Sequence, residues 1–337
     1  MGIQFGGLVK GKELEIKDLS GKKVAIDAFN WIFQFLSTIR QHDTGEPLKD
    51  SKGRITSHLS GLFYRNSNLL QAGIRPVYVF DGQAPAFKAA TQAERRAVRE
   101  EAHAKWQEAK AAGDMEAALK AAKMSSSLNS EMIQQSKDLL DYMGIQVVQA
   151  PSEGEAQCAQ MCRQGVVHYS ASQDWDSILF GSPRLVRNLN VTGRRKMPKQ
   201  NIYMEVKPEI IEAKAVFDVL DVTREQLIIV AMLIGTDFNP GVKGYGPKRA
   251  LELVKKEKTL KNVISGVQWI GPPAEEVFGF FMHPPAEEVK IEQKQMQPEK
   301  LMKMMVDEHE FSQERVEKVI KALSQIKPKN KGLGSFM

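Results

Sequence analysis

The chain of 337 residues has only two cysteines, Cys158 and Cys162, four positions apart in a stretch of helical composition. Two thiols so placed exclude a disulfide scaffold, and both are expected to pack as small buried hydrophobes rather than bind metal. No apolar run approaches the roughly 18 residues of a membrane span, and the N-terminus has no signal-peptide pattern. An intracellular, soluble protein without a membrane partner is therefore expected. Met1-Gly2 is followed by Gly6 where a myristoylation signal requires Ser or Thr, which argues against lipidation. Large apolar residues are also scarce between Lys88 and Ser127, where Val98, Trp106, Met115, Leu119 and Met124 stand among Ala, Lys, Arg and Glu.

What the sequence does contain is a set of acids in costly places. Asp27, Asp81, Glu153, Glu155, Asp174, Asp176 and Asp237 lie within or just after apolar stretches. Lys23 to Ile26 reads as a buried strand ending at Asp27, and Val77 to Phe80 as another ending at Asp81. Ile145 to Val148 leads into Glu153 and Glu155, and Val166 to Ser170 into Asp174 and Asp176. Short apolar strands separated by helical segments describe an α/β fold, with a mostly parallel central sheet flanked by helices. In such sheets ligands bind beyond the carboxyl ends of the strands, so acids placed there gather in one crevice. Crowded carboxylates repel one another unless cations neutralise them. Oxygen donors with no Cys or His among them suit Mg²⁺ or Mn²⁺, and seven acids suit two ions about 3.5–4 Å apart, the arrangement used in phosphodiester hydrolysis. Taken singly, some of these acids have plainer readings: Ser152 to Glu155 fits a capping box, and Asp81-Gly82 and Asp237 fit turns.

Lys and Arg number 47 against 41 Asp and Glu, a formal charge of +6. With seven acids gathered at one site, the remaining surface is more basic than the total suggests, which favours a polyanionic partner. The apolar-poor segment, about 86–130, is expected to form two or more helices standing away from the core, broken near Gly113-Asp114. Lys88, Arg95 and Arg99 are spaced to share one helical face, positioned to overhang the acids and hold a phosphate. A glycine-rich turn follows Asp237. Gly244 and Gly246 permit tight turning, Pro247 suits the first position of a helix, and Lys243, Lys248 and Arg249 add charge, a combination suited to a DNA backbone. The hexapeptide Pro-Pro-Ala-Glu-Glu-Val occurs at 272–277 and again at 284–289, and both copies read as helix N-termini.

Several stretches together resemble the structure-specific 5′ nucleases, and within them the flap endonucleases of archaeal and eukaryotic type. They are MGIQ at the start, VAIDAFNWIFQFL around Asp27, ITSHLSGLFYR from Ile55, PVYVFDG around Asp81, MGIQVVQAPSEGEAQCA, SASQDWDSILFGSPRLVRNL, IGTDFNPGVKGYGPKRAL and DEHEFSQERV. The resemblance implies a single nuclease domain over 1–326, with a helical arch at about 86–130 and a helix-turn-helix DNA-binding element at about 225–260. It implies that Asp27, Asp81, Glu153 and Glu155 hold one ion and Asp174, Asp176 and Asp237 a second, with Glu155 near both. Lys88, Arg95 and Arg99 would steady the scissile phosphate. DNA contacts would fall to Gly2, Phe33, Arg40, Thr56 and Arg65, and at the glycine turn to Lys243, Gly244, Gly246, Lys248 and Arg249, where a K⁺ ion is often held. The substrate would be DNA with a 5′ flap, cut by a monomer.

The chain departs from the family pattern in places. Phe33 stands where Tyr is usual, so base stacking survives without the hydroxyl. Trp175 separates the two aspartates, and His309 and Gln313 replace the Lys and Glu common in relatives. The basic tail, 327–337, ends in Asn330-Lys-Gly-Leu-Gly-Ser-Phe-Met337, which resembles a sliding-clamp (PCNA) peptide in which Leu333, Phe336 and Met337 would make the contacts. A non-catalytic junction binder would need the basic surfaces but not the acids; a phosphatase would need the acids but not the arch. Within the family, the compact arch and clamp-like tail favour the flap enzyme over a Holliday-junction resolvase or a processive 5′ exonuclease.

Overall fold

The computed structural model describes residues 8–41, 44–190, 194–196 and 203–326. Gly2 and the tail positions Leu333, Phe336 and Met337 therefore lie outside the described residues. The strands are β1 (Lys12–Glu13), β2 (Lys23–Asp27), β3 (Arg75–Phe80), β4 (Gln146–Gln149), β5 (Tyr169–Ala171), β6 (Arg184–Arg187), β7 (Arg194–Lys196), β8 (Tyr203–Glu205) and β9 (Glu209–Glu212). Strands β7 and β8 pair antiparallel apart from the main sheet. The other seven form a mixed sheet in the order β1-β9-β6-β5-β2-β3-β4. Its centre, from β6 to β4, is parallel; at one edge β9 runs antiparallel to β6, and β1 antiparallel to β9.

The chain builds outward from β2 through β3 to β4, then returns to lay β5 on the other side of β2. That reversal places a topological switch point between β2 and β5, where open α/β sheets bind their ligands. Strand β3 is buried on both faces: Tyr78 and Phe80 meet one hydrophobic cluster, Val77 and Val79 another. Burial on both sides is why the sequence shows a continuous apolar run rather than an alternation.

Helices α1 (Ala28–Thr38) and α2 (Ser57–Gln71) join β2 to β3. They cover one face of the sheet and pack on each other so closely that a Cβ at Gly61 of α2 would lie 2.2 Å from the Phe35 ring of α1. A 3-10 turn, Ala86–Lys88, leads into α3 (Ala89–Ala111), α4 (Met115–Met124) and α5 (Ser130–Tyr142). The break expected near Gly113-Asp114 is there. Gly113 has φ +75°, and the Asp114 carboxylate caps α4 by accepting the Ala117 N–H at 3.0 Å. On the other face α6 (Gly154–Arg163) connects β4 to β5, and α7 (Asp176–Leu179) connects β5 to β6. Beyond β9 come α8 (Ala213–Leu220), α9 (Arg224–Ile234), α10 (Pro247–Glu257), α11 (Leu260–Ser265), α12 (Ala274–Met282), α13 (Pro298–Met302) and α14 (Gln313–Ser324). Helix α9 is buried from Leu227 to Leu233 and anchors this second layer.

Three local expectations are corrected. The fourth strand begins at Tyr169 rather than Val166, because the turn that closes α6 runs on: Gly165 takes φ +74°, and the Val167 N–H reaches back to Met161 O at 3.4 Å. Ser152 does not cap α6. Glu153 is the N-cap residue, and the Gly154 N–H goes across to Asp81. Only the first Pro-Pro-Ala-Glu-Glu-Val copy starts a helix, α12, while the second is extended. The flanking sequence explains the difference. Val277, Phe280 and Phe281 follow at helical spacing and are buried, whereas Val289 and Ile291 alternate with Lys290 and Glu292 at strand spacing.

Candidate active site

Each acid is set by the backbone that precedes it. Asp27 ends β2 and caps α1, accepting N–H bonds from Phe29 at 2.9 Å and Asn30 at 3.3 Å. Asp81 follows β3 and accepts the Gly154 N–H at 2.7 Å. The start of α6 therefore fixes Asp81 as well as Glu153 and Glu155. Ser172 ties two groups together, donating its hydroxyl to Glu155 and accepting the Asp174 N–H at 3.2 Å. Asp176 opens α7 and is buried. Asp237 sits in a turn held by Thr236 and Asn239, whose side chains bond at 2.7 Å while Asn239 donates to Met232 O at 2.7 Å.

All seven acids line one cavity of about 940 Å³, together with Lys88, Arg95, Arg99, Phe33 and Phe238. Its position beyond the ends of β2, β3 and β5 matches the crevice expected from strand order. The arch cations reach into it. Lys88 Nζ is 2.5 Å from Glu153, and Arg95 pairs with Asp237. Lys88 is itself buried and also lies 5.4 Å from the centre of the Phe238 ring.

The electrostatics are those of crowded acids. Burial, then the Asp81 charge, pushes Asp27 up to about 8. Burial raises Glu155 well above the ordinary carboxyl value, with Asp176, Asp27 and Asp174 adding to it. Asp81 and Glu153 are raised chiefly by burial. Burial alone would raise Asp237 too, but Arg95 and Lys88 hold it below its usual value. As the side chains stand, no three His, Cys, Asp or Glu groups among the described residues enclose a single ion, and Lys88 and Arg95 supply the positive charge in direct pairs. The donor set nonetheless fits hard divalent cations. It is all carboxylate oxygen, and at neutral pH its buried members require more neutralisation than two side chains provide.

The other expected contact residues are distributed unevenly. Phe33 and Arg99 also line a neighbouring hollow of about 390 Å³ between α1 and the arch, with Lys123 and Ser126 at its far side. Lys243, Gly244, Gly246, Lys248 and Arg249 are exposed, and Arg249 lies 4.7 Å over the Tyr245 ring. Pro247 opens α10 as expected. Gly241 and Gly244 need glycine, with φ +82° and +86°, whereas Gly246 has φ −96° and open space beside it. Three residues are engaged within the chain. Thr56 is 5 % exposed, Arg65 donates to Asn190 O, and Arg40 donates to Gly45 O and to Ser126 Oγ at 2.9 and 2.6 Å. Thr56 thus leaves little surface for DNA. Both cysteines are buried and free, as expected.

Sequence reasoning missed Ser172 and Gln149, whose amide donates to Asp81 O at 2.6 Å. Ser172 had a signal, since a serine two residues before an aspartate is a recurrent turn former. Gln149 had none.

Known proteins agree with this architecture. The XPG N-terminal domain matches residues 3–102 and the XPG I-region matches 144–237. The chain is 53 % identical to flap endonuclease 1 of Pyrococcus abyssi, over 96 % of this chain and 94 % of that protein. It is 50 % identical to flap endonuclease 1 of Staphylothermus marinus, over 100 % and 99 %. Among solved structures, flap endonuclease-1 from Methanococcus jannaschii matches with a TM-score of 0.75 and 40 % identity, covering 96 % of this chain and 98 % of that one. With half its residues shared with such enzymes from end to end, and the same fold around the crevice, the chain belongs to the flap endonuclease 1 family.

Proposed function

We propose that the chain is a metal-dependent, structure-specific 5′ nuclease that hydrolyses DNA phosphodiesters at the base of 5′ flaps, with 5′-3′ exonuclease activity, in Okazaki-fragment maturation and repair. The observation that carries this reading is the meeting of seven acids with the arch cations in one cavity. Asp27, Asp81, Glu153 and Glu155 are the ligands for one Mg²⁺ and Asp174, Asp176 and Asp237 those for a second, with Glu155 shared and Mn²⁺ able to substitute. Bound there, such ions would supply a nucleophilic water at neutral pH and offset charge on the attacking and leaving oxygens.

The chain's own groups do the rest. Lys88 and Arg95, engaged with Glu153 and Asp237 here, are the donors a scissile phosphate draws to its non-bridging oxygens as negative charge builds on them. Arg99 assists from the next turn of α3. Phe33 offers a stacking face at the cavity mouth, and the adjoining hollow with Lys123 and Ser126 accommodates a single 5′ strand. The duplex downstream lies on the glycine turn, whose exposed Lys243, Lys248 and Arg249 meet phosphates without reading sequence, with K⁺ held by the turn's backbone. Residues 1–326 act as one nuclease domain and a monomer. The basic tail binds a sliding clamp, which deletion of 330–337 should abolish; unchanged clamp binding would sink that part.

The deciding experiment compares cleavage of labelled 5′-flap, nicked and four-way-junction DNA with Mg²⁺. Flap cutting should dominate. Preference for the four-way junction would replace the flap assignment with a resolvase, and absence of Mg²⁺-dependent cutting would leave a junction binder.

A further inference from the structure

Residues 283–297, between α12 and α13, form neither helix nor strand, yet their main chain is held like a strand. Gln157 donates to Glu287 O at 2.8 Å and accepts the Glu287 N–H at 2.9 Å. Gln146, on β4, repeats this two-bond clamp on Lys290 O at 3.0 Å and Glu292 N at 2.8 Å. Between the clamps Val289 and Ile291 pack against the cluster that contains Cys158, Cys162 and Val77. The strap carries the extended Pro-Pro-Ala-Glu-Glu-Val copy. Its preceding helix, α12, sets Phe280 and Phe281 edge-to-face with Phe238, with ring centres 5.0 and 5.2 Å apart, one residue beyond Asp237.

The two clamps differ in what they hold in place. Gln146 lies on a strand already fixed by its pairing with β3. Gln157 is fully buried on α6, two residues beyond Glu155 and three beyond the Gly154 N–H that holds Asp81. Besides Gln157, the buried face of α6 is Gly154, Ala156, Cys158, Ala159, Met161 and Cys162. Met161 keys the last turn into the core, whereas the small side chains of the first turns, next to the acids, interlock shallowly with the sheet and resist sliding or rotation weakly. Gln164, at the far end of α6, accepts the Val289 N–H of the strap at 3.4 Å, and at the end that carries the acids a side-chain amide locked to the strap's backbone by two bonds supplies the registration.

We propose that Gln157 is a positioning residue. By fastening α6 to the strap it sets where Glu155 and Asp81 stand, and hence how tightly the crevice takes a divalent cation. This rests on the reading of those acids as cation ligands. Groups that orient metal ligands from outside are worth about 10–100-fold in affinity. Since Gln157 acts through the helix rather than on the carboxylate, the lower end applies.

The test is Mn²⁺ binding to the full chain without DNA, followed by the loss of the free-ion EPR signal, together with thermal melting. Gln157→Ala should weaken Mn²⁺ binding about tenfold, and the milder Gln157→Asn, whose amide falls short of Glu287, should weaken it in the same direction should the alanine variant not fold. Gln146→Ala should lower the melting temperature while leaving Mn²⁺ affinity within about twofold of the unsubstituted chain, since its strand is otherwise fixed. Equal Mn²⁺ affinity in the Gln157 variants, or an equal loss in Gln146→Ala, would overturn the positioning role. Failure of the unsubstituted chain to bind Mn²⁺ would instead overturn the cation-site reading, and the role with it.

Discussion

The acid crevice and the arch face each other across one cavity, but they are held by different means. Every acid is anchored by main chain leaving the central sheet or a helix packed on it, and the strands beneath them are buried. The arch is mostly exposed, and away from the acids it is tied to the rest of the chain by contacts such as Lys110 with Glu46 at 2.5 Å, Arg40 with Ser126 at 2.6 Å, and the apolar Leu119 side chain on Gly45. Groups that must hold a reacting centre are best placed on rigid elements, whereas an element that admits and sorts a strand gains from low local stability. In this reading the crevice specifies the reaction and the arch the substrate.

The largest effect should separate the two regions outright. Asp176→Ala removes a buried acid from the crevice without touching the arch or the glycine turn, so cleavage of a 5′ flap should fall by about 10⁴-fold or more while flap binding is largely kept. Single-turnover cleavage beside a binding isotherm measures both, and robust cutting by the variant would refute the two-ion assignment. Arg95→Ala works from the other side of the cavity. It should cost about 10²–10³-fold in rate, the range for loss of one preorganised donor, with a smaller loss in affinity. Equal losses in both would make Arg95 a binding residue only.

Acid should destabilise the core through a route the arch lacks. His58 is fully buried on α2, with Nε2 3.1 Å from Gln135 Oε1 on α5, and burial draws its pKa from 6.5 down to about 4. In the unfolded chain the ring takes up its proton near pH 6.5; in the folded chain it resists. The stability this neutral ring contributes is therefore complete above pH 6.5 and is lost as pH falls towards 4, a change on the order of 3 kcal/mol. Denaturant midpoints measured across that window should slope downward with acid, and His58→Gln should flatten the slope. An unchanged slope would move the effect to other groups.

Much of this was legible beforehand because the sheet and its acids obey local rules. An apolar run capped by an aspartate identifies both the strand and its carboxyl end, and parallel topology then gathers Asp27, Asp81 and Asp174 without further information. The limits were physical. The start of β5 was misplaced because Val166 and Val167, though apolar, finish the turn of α6. Ser152 was a plausible cap until Asp81, more than 70 residues away in sequence, took the Gly154 N–H. The two Pro-Pro-Ala-Glu-Glu-Val copies show the same point from within one chain, since hexapeptide propensity is overruled by whether the next apolar residues recur at helical or strand spacing. Pairings such as Lys88 with Glu153, or Gln149 with the Asp81 carbonyl, depend on side-chain reach across elements and leave no trace in sequence.

The smallest expected effect tests the contrast most directly. Glu46 accepts from both Lys110 on the arch and Lys49, at 2.5 and 3.0 Å, and the hydrogen bond from Lys110 leads the causes that hold its carboxyl below the usual value. These ion pairs are partly exposed, so Glu46→Ala should cost at most about 1 kcal/mol, screened by salt. Spread over the whole protein this is only a few degrees of melting temperature. Concentrated in the arch, it should raise amide exchange in α3 and α4 about two- to fivefold at low salt, and leave β2, β3 and α9 unchanged. At high salt the difference between variant and parent should vanish. If exchange rises equally in the central strands, the arch is not a separately held unit, and the division between a fixed crevice and a loosely tied gate fails with it.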